Sequence, residues 1–143
     1  MRTRIIVLED DESSRRLLSM LLQVRGYEVI SAAAPNSCPL YADLNAPCPH
    51  EYPCGDFLLT DNRMPRMTGL ELIARQEQRG CKGIVRNKAV ISGTWETHEL
   101  ETAEQLGCKT FSKPYRLVDI LNWLNEREKT LAPDRKLARL DEL

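Results

Sequence analysis

Short apolar runs alternate with stretches of helical period almost to the end of this chain, and no other feature restricts its folding more. Five segments read as strands: Arg4-Ile5-Ile6-Val7-Leu8, Tyr27-Glu28-Val29-Ile30, Phe57-Leu58-Leu59-Thr60 running into Asp61, Ala89-Val90-Ile91, and Thr110-Phe111-Ser112. Near-continuous apolar runs are what a parallel sheet covered on both faces requires. Between them, residues 13–25 place Leu17, Leu18, Leu21 and Leu22 on one helix face, with Gly26 to close it. Residues 69–79 predict a helix with Leu70, Ile73 and Ala74 inward. Thr94 reads as the N-cap of a helix through Leu106, with Glu96 and Glu99 near its positive end and Gly107 beyond its last turn. Residues 115–129 set Leu117, Val118, Leu121 and Leu124 at helical spacing before Pro133. The pattern implies right-handed crossovers and a central parallel sheet between helical layers.

One segment breaks the rhythm. Residues 34–55 carry Pro35, Pro39, Pro47, Pro49 and Pro53, leaving room for at most a short helix around 37–44. It reads as an irregular Cys/Pro-rich insertion in the second-helix region. Leu137, Leu140 and Leu143, three apart, predict a short helical tail.

At 143 residues the chain fits one domain with a real core. Charged residues at 29% and hydrophobic ones at 42% exclude a disordered or membrane chain. No apolar run approaches the ~20 residues that span a bilayer. The opening MRTRIIVLEDD is too short in its apolar part for a signal peptide, so the chain reads as cytoplasmic, without a membrane partner. Twenty basic residues against 21 acidic ones give a net charge of −1, without the pull towards phosphate backbones that a nucleic-acid partner demands.

Parallel sheets bind ligands at the carboxyl ends of their strands. There the first strand delivers Glu9 and Asp10, the third Asp61, the fourth Ser92, and the fifth Lys113 followed by Pro114. Crowded carboxylates repel unless a cation relieves them, and Mg²⁺ takes few carboxylates while keeping waters. A metal ion, an ammonium and a hydroxyl together suit a phosphoryl group, with Asp61 as nucleophile. Each residue alone has a blander reading, as helix-entry acid, turn or surface charge; their convergence is what carries chemistry.

The pieces IIVLEDD, LLTDNRMPRMTGLEL, VISG and FSKP, in that order, resemble the receiver domain of two-component response regulators across residues 4–127. The resemblance implies a flavodoxin-like, doubly wound five-stranded parallel sheet of order 2-1-3-4-5. It makes Asp61 the phospho-acceptor, and assigns Mg²⁺ to Glu9, Asp10, Asp61 and the backbone carbonyl of Arg63. Ser92 and Lys113 become the phosphoryl-contacting switch residues, and Lys113-Pro114 a candidate cis peptide. The implied partners are a sensor histidine kinase or phosphotransfer protein, an unidentified downstream protein, and a second copy through the fourth and fifth helices. The implied role is signalling rather than enzymatic turnover. Where the family often carries a rotating aromatic, this chain has Thr110, and Phe111 reads as core.

Residues 1–130 read as the receiver and 131–143 as a tail too short for an output domain, which makes the expected protein a stand-alone regulator. The alternative is a phosphorylation-independent, or a metal- or redox-responsive, adaptor on the same fold. It draws on Cys38, Cys48, Cys54 and Cys81, which lack close C-x-x-C spacing and read as separate buried thiols, as a thiol cluster holding an additional metal, or as a redox-sensitive disulfide. An aspartate-dependent phosphatase is disfavoured, since Arg63 stands where such enzymes carry a second acid.

Overall fold

Alternate residues of the central strands face opposite layers, which makes a two-sided core inevitable. The computed structural model describes residues 2–36, 38–42 and 46–143. Its strands are β1 (Arg4–Leu8), β2 (Glu28–Ala32), β3 (Phe57–Asp61), β4 (Lys88–Ser92) and β5 (Lys109–Ser112). Its helices are α1 (Glu12–Val24), α2 (Pro39–Ala42), α3 (Gly69–Gln78), α4 (Thr97–Leu106) and α5 (Leu117–Glu128). All four strand pairings are parallel, in the order β2-β1-β3-β4-β5. The flavodoxin-like, doubly wound architecture expected from the sequence is the one observed.

Ile5, Val7, Phe57, Leu59, Ala89 and Ile91 pack towards Leu18, Leu22, Ile120 and Leu124 of α1 and α5. Leu8, Leu58 and Val90 pack on the other side with Leu70, Leu72, Ile73 and Ala103 of α3 and α4. This is the period-2 rule of a pleated strand read twice over. Every residue of β3 and β4 is buried, and these two strands hold the middle of the sheet against movement.

Two helix starts differ from the sequence reading. Thr94 does not cap α4: its N–H donates to Ser92 Oγ at 3.2 Å, and its carbonyl accepts from the same hydroxyl at 3.0 Å. That tight turn delays the helix to Thr97, where the Glu99 carboxylate accepts from the Glu96 N–H at 3.1 Å. α5 starts at Leu117 and ends at Glu128, well before Pro133. Of the helix expected around 37–44, Pro39–Ala42 is helical, while Ser37, Asp43 and Leu44 lie outside the described residues.

Residues beyond α5 return to the amino end of the sheet. Arg135 pairs with Asp56, its Nη2 at 2.9 Å from Oδ2, and the Ala138 N–H donates to the Pro53 carbonyl at 2.7 Å. Arg4, 8% exposed, pairs with Glu28 and donates to the carbonyls of Cys54 (2.9 Å) and Ala138 (2.7 Å). Only Leu140–Glu142 of the expected helical tail forms a turn, of the tighter 3₁₀ kind. Among the described residues no helix is long and apolar enough to cross a membrane.

Candidate functional site

The ends of β1, β3, β4 and β5 bring their chemistry to one edge. Asp61 closes β3 at 5% exposure, because its strand is buried on both faces up to its last residue. Glu9, directly after β1, is 6% exposed, and Asp10 beside it faces solvent. Ligand oxygens of Glu9, Asp10 and Asp61 lie within 4.8 Å of one another. Lys113 Nζ sits 2.9 Å from Asp61 Oδ1 and 3.1 Å from Glu9 Oε1, a single ammonium bridging the two buried carboxylates. Its backbone N–H is anchored on the Ser92 carbonyl at 2.8 Å, and the Lys113-Pro114 peptide is cis.

One lysine against three carboxylates leaves negative charge uncompensated. Glu9 Oε2 is buried and has no hydrogen-bond partner, an unusual state for a buried polar atom. A hard oxygen-liganded cation fits this donor set, and Mg²⁺ is the ion whose chemistry matches few carboxylates and retained waters. Asp11 takes no part. It caps α1 by accepting from the Ser14 N–H at 2.8 Å, and the Ser14 hydroxyl together with that N–H holds its carboxyl below the usual range. Burial pushes the Tyr115 phenol upward; the residue lines the same small cleft as Lys113 and Asp61.

Comparison with known proteins bears on this arrangement. No protein-family profile matches the chain. Regulatory protein AtoC of Escherichia coli (strain K12) is 30% identical over 141 residues, 95% of this chain. The chain spans 27% of that relative's length. A response regulator receiver protein from Pseudomonas putida superposes with a TM-score of 0.72 at 25% identity, covering 88% of this chain and 98% of that one. The chain resembles response-regulator receiver domains in both sequence and fold. Two further receiver likenesses extend the fold match. The Vibrio cholerae chemotaxis protein CheY4 gives a TM-score of 0.66 at 23% identity, over 88% of this chain and 98% of its own. The beryllofluoride-activated NtrC4 receiver dimer gives 0.68 at 20%, over 89% and 97%.

In this receiver-like fold Glu9, Asp10, Asp61 and Lys113 stand together, and Ser92, 2% exposed, ends the neighbouring strand. The Ser92 hydroxyl is occupied by Thr94. The Arg63 side chain does not lie over Asp61 but reaches Glu99 at 3.3 Å. Cys38, Cys48, Cys54 and Cys81 are far from this edge: they line a separate cavity at the amino end of the sheet, all as free thiols. Burial, with the other three cysteines adding to it, pushes the Cys54 thiol up to about 12.

Sequence reading missed Asn62, and placed Glu99 only as an acid near the positive end of its helix, not as a buried partner of Asn62. Asn62, fully buried, donates its N–H to the Ile91 carbonyl (2.9 Å) and its side-chain amide to Glu99 Oε2 (2.7 Å), while its Oδ1 accepts from the Leu70 N–H (3.3 Å). An Asn directly after the buried acid was the available signal. Burial alone would raise the Glu99 pKa. The bonds from the Glu96 N–H and the Asn62 amide, with the Arg63 guanidinium, hold it below its ordinary value of 4.5. A lowered carboxylate pKa stabilises the fold above the unfolded value, and that contribution is lost as pH falls through the folded one. Wild-type stability is therefore expected to fall more steeply on acidification below 4.5 than that of Glu99→Gln. Urea midpoints across a pH series check this; parallel curves would refute it.

Gly69 presses the opening of α3 onto Asp61. A Cβ there would stand 2.5 Å from the Asp61 carbonyl oxygen and 3.0 Å from Thr60 Cγ2, so backbone would have to move. Gly69→Ala is expected to destabilise the domain by about 1–3 kcal/mol, as overpacking does. Urea unfolding reads the cost, and a variant as stable as wild type would show that α3 is free to shift.

Proposed function

We propose that this receiver accepts a phosphoryl group on Asp61 from a phosphohistidine of a sensor kinase or phosphotransfer protein, and signals through contacts that depend on it. The observation that carries the reading is the Lys113 ammonium held on both Asp61 and Glu9, with Asp10 at the lip of the same cluster. An Asp61 carboxylate oxygen attacks phosphorus. The P–N bond breaks, its electron pair stays on the donor imidazole, and an aspartyl phosphate forms. Glu9, Asp10, Asp61 and the Arg63 carbonyl would hold Mg²⁺, which supplies charge neutralisation for the phosphoryl oxygens.

The chain's own residues do the positioning. Lys113, already within 2.9 Å of the acceptor, supplies a fixed positive charge without reorganisation. Ser92 contributes a hydroxyl one strand away, which must exchange its bond to the Thr94 carbonyl for one to the phosphoryl group. Such an exchange shifts population between two arrangements of the turn before α4. Dimerisation through α4 and α5, with an unidentified downstream protein as the other contact, belongs to the same reading. Turnover is disfavoured: the position two residues after Asp61 holds Arg63, tied to Glu99, and no acid stands there to protonate a leaving group.

Incubation of the full chain with acetyl phosphate and Mg²⁺ tests the reading. The expected result is close to one acyl phosphate per chain by intact-mass measurement. Repeated hydrolysis of a general phosphate ester would replace it with a phosphatase.

A further inference from the structure

Four of the five cysteines, scattered from 38 to 81 in sequence, come to one place. Cys38 precedes α2, Cys48 and Cys54 flank the irregular stretch leading into β3, and Cys81 follows α3. All four line a cavity of about 90 Å³ at the amino ends of β3 and β4, the opposite edge of the sheet from Asp61. His50, whose Nε2 is buried without a hydrogen-bond partner, lines it too. The surrounding donors are aimed at sulfur. Lys88 Nζ lies 3.3 Å from Cys81 Sγ, the Gly83 N–H donates to the same sulfur at 3.4 Å, and the Gln76 amide reaches Cys38 Sγ at 3.7 Å.

Lys88 is the telling residue. It opens β4 at 4% exposure, and beyond Cys81 its ammonium meets, among the described residues, only the neutral Gln76 carbonyl oxygen at 2.7 Å. No carboxylate pairs with it among the described residues. A buried ammonium without a counter-charge is strongly unfavourable, and neutral thiols do not provide one. Four thiolates around a divalent cation leave two negative charges, which a buried lysine and N–H···S bonds would offset.

We propose that Cys38, Cys48, Cys54 and Cys81 form a structural site for a thiophilic divalent ion of the zinc class, which fastens the irregular segment before β3 to the end of α3. Tetrahedral coordination at about 2.3 Å from each sulfur would bring the sulfurs roughly 3.8 Å apart. No three of these sulfurs now lie within 4.8 Å of one another, so the cage closes on binding, releasing up to one proton per thiol. Residues 46–56, which form no helix or strand, are the segment that would move. The site rests on no part of the phosphoryl reading.

Elemental analysis of the purified full chain tests it, with zinc alone as the probe. The expected result is one zinc per chain, unchanged in Asp61→Asn and Cys108→Ser and lost in Cys54→Ser and Cys81→Ser. Lys88→Met should weaken zinc binding by about 10–100-fold, as loss of an outer-shell partner does. Because a cysteine variant can fail to fold, Co²⁺ titration of the wild-type chain gives an independent readout: thiolate-to-cobalt charge-transfer absorption at one equivalent. A folded chain with five titratable thiols and no zinc, or a Co²⁺ complex without sulfur bands, would overturn the proposal. So would zinc that survives both cysteine substitutions but leaves with Glu9 or Asp10.

Discussion

Asp61→Asn is expected to abolish aspartyl phosphate formation outright while leaving the fold standing. The amide has the shape of the carboxylate but not its nucleophilic charge, and Glu9, the other buried acid against Lys113, follows the first strand rather than closing the third. Glu9 keeps its own contact with the lysine at 3.1 Å, so Lys113 is not stranded. Removing one of three crowded carboxylates relieves repulsion that the native site tolerates for its chemistry. Stability should change by less than about 1 kcal/mol. Intact mass after acetyl phosphate treatment, with urea unfolding in parallel, checks both halves. A labelled variant would move the acceptor elsewhere.

The largest loss of stability is expected from Phe57→Ala, about 3–5 kcal/mol. Phe57 opens β3 at 2% exposure and meets Trp123 of α5 edge-on, ring centroids 5.5 Å apart. Trp123 makes a second such contact with Phe111 at 5.9 Å, so one indole ties the middle of the sheet to its edge strand. Truncation removes both the buried area and the aromatic pairing, the latter worth about 0.5–1.5 kcal/mol beyond area. Phe57→Leu keeps most of the volume and should cost less than about 1.5 kcal/mol. Urea unfolding of the two variants separates packing from ring geometry. Equal costs would put the whole penalty on the lost ring, whereas a Phe57→Leu variant as stable as wild type would mean that the edge-on contact contributes nothing.

Much of this was legible before any coordinates. The strands around IIVL and FLLT and the acids that end them could be read because burial on both faces writes itself as an unbroken apolar run. Asp61 stood out by contrast, a carboxylate at the tip of such a run. The start of α4 was misread because Thr94 has the right chemistry for a cap, and nothing local reveals that Ser92 already holds it in a turn. The partnership of Asn62 with Glu99 spans 37 positions, and that of Arg135 with Asp56 spans 79. Such pairs leave no periodic trace. Nor did spacing show that the cysteines at 38 and 81 border one cavity, since the fold of α3 back along the sheet is what brings them near.

The return of residues 132–139 to the amino end of the sheet sets a practical limit on trimming. A cut at residue 130 would take away the guanidinium that answers Asp56, whose side chain is 1% exposed, and a carbonyl that Arg4 leans on. One interior carboxylate would lose its counter-charge, and Arg4, still paired with Glu28, would lose one of its hydrogen-bond acceptors. A shortened version made for crystallisation or for fusion to another module should therefore keep the polypeptide through Arg139, or expect precipitation in place of a folded domain.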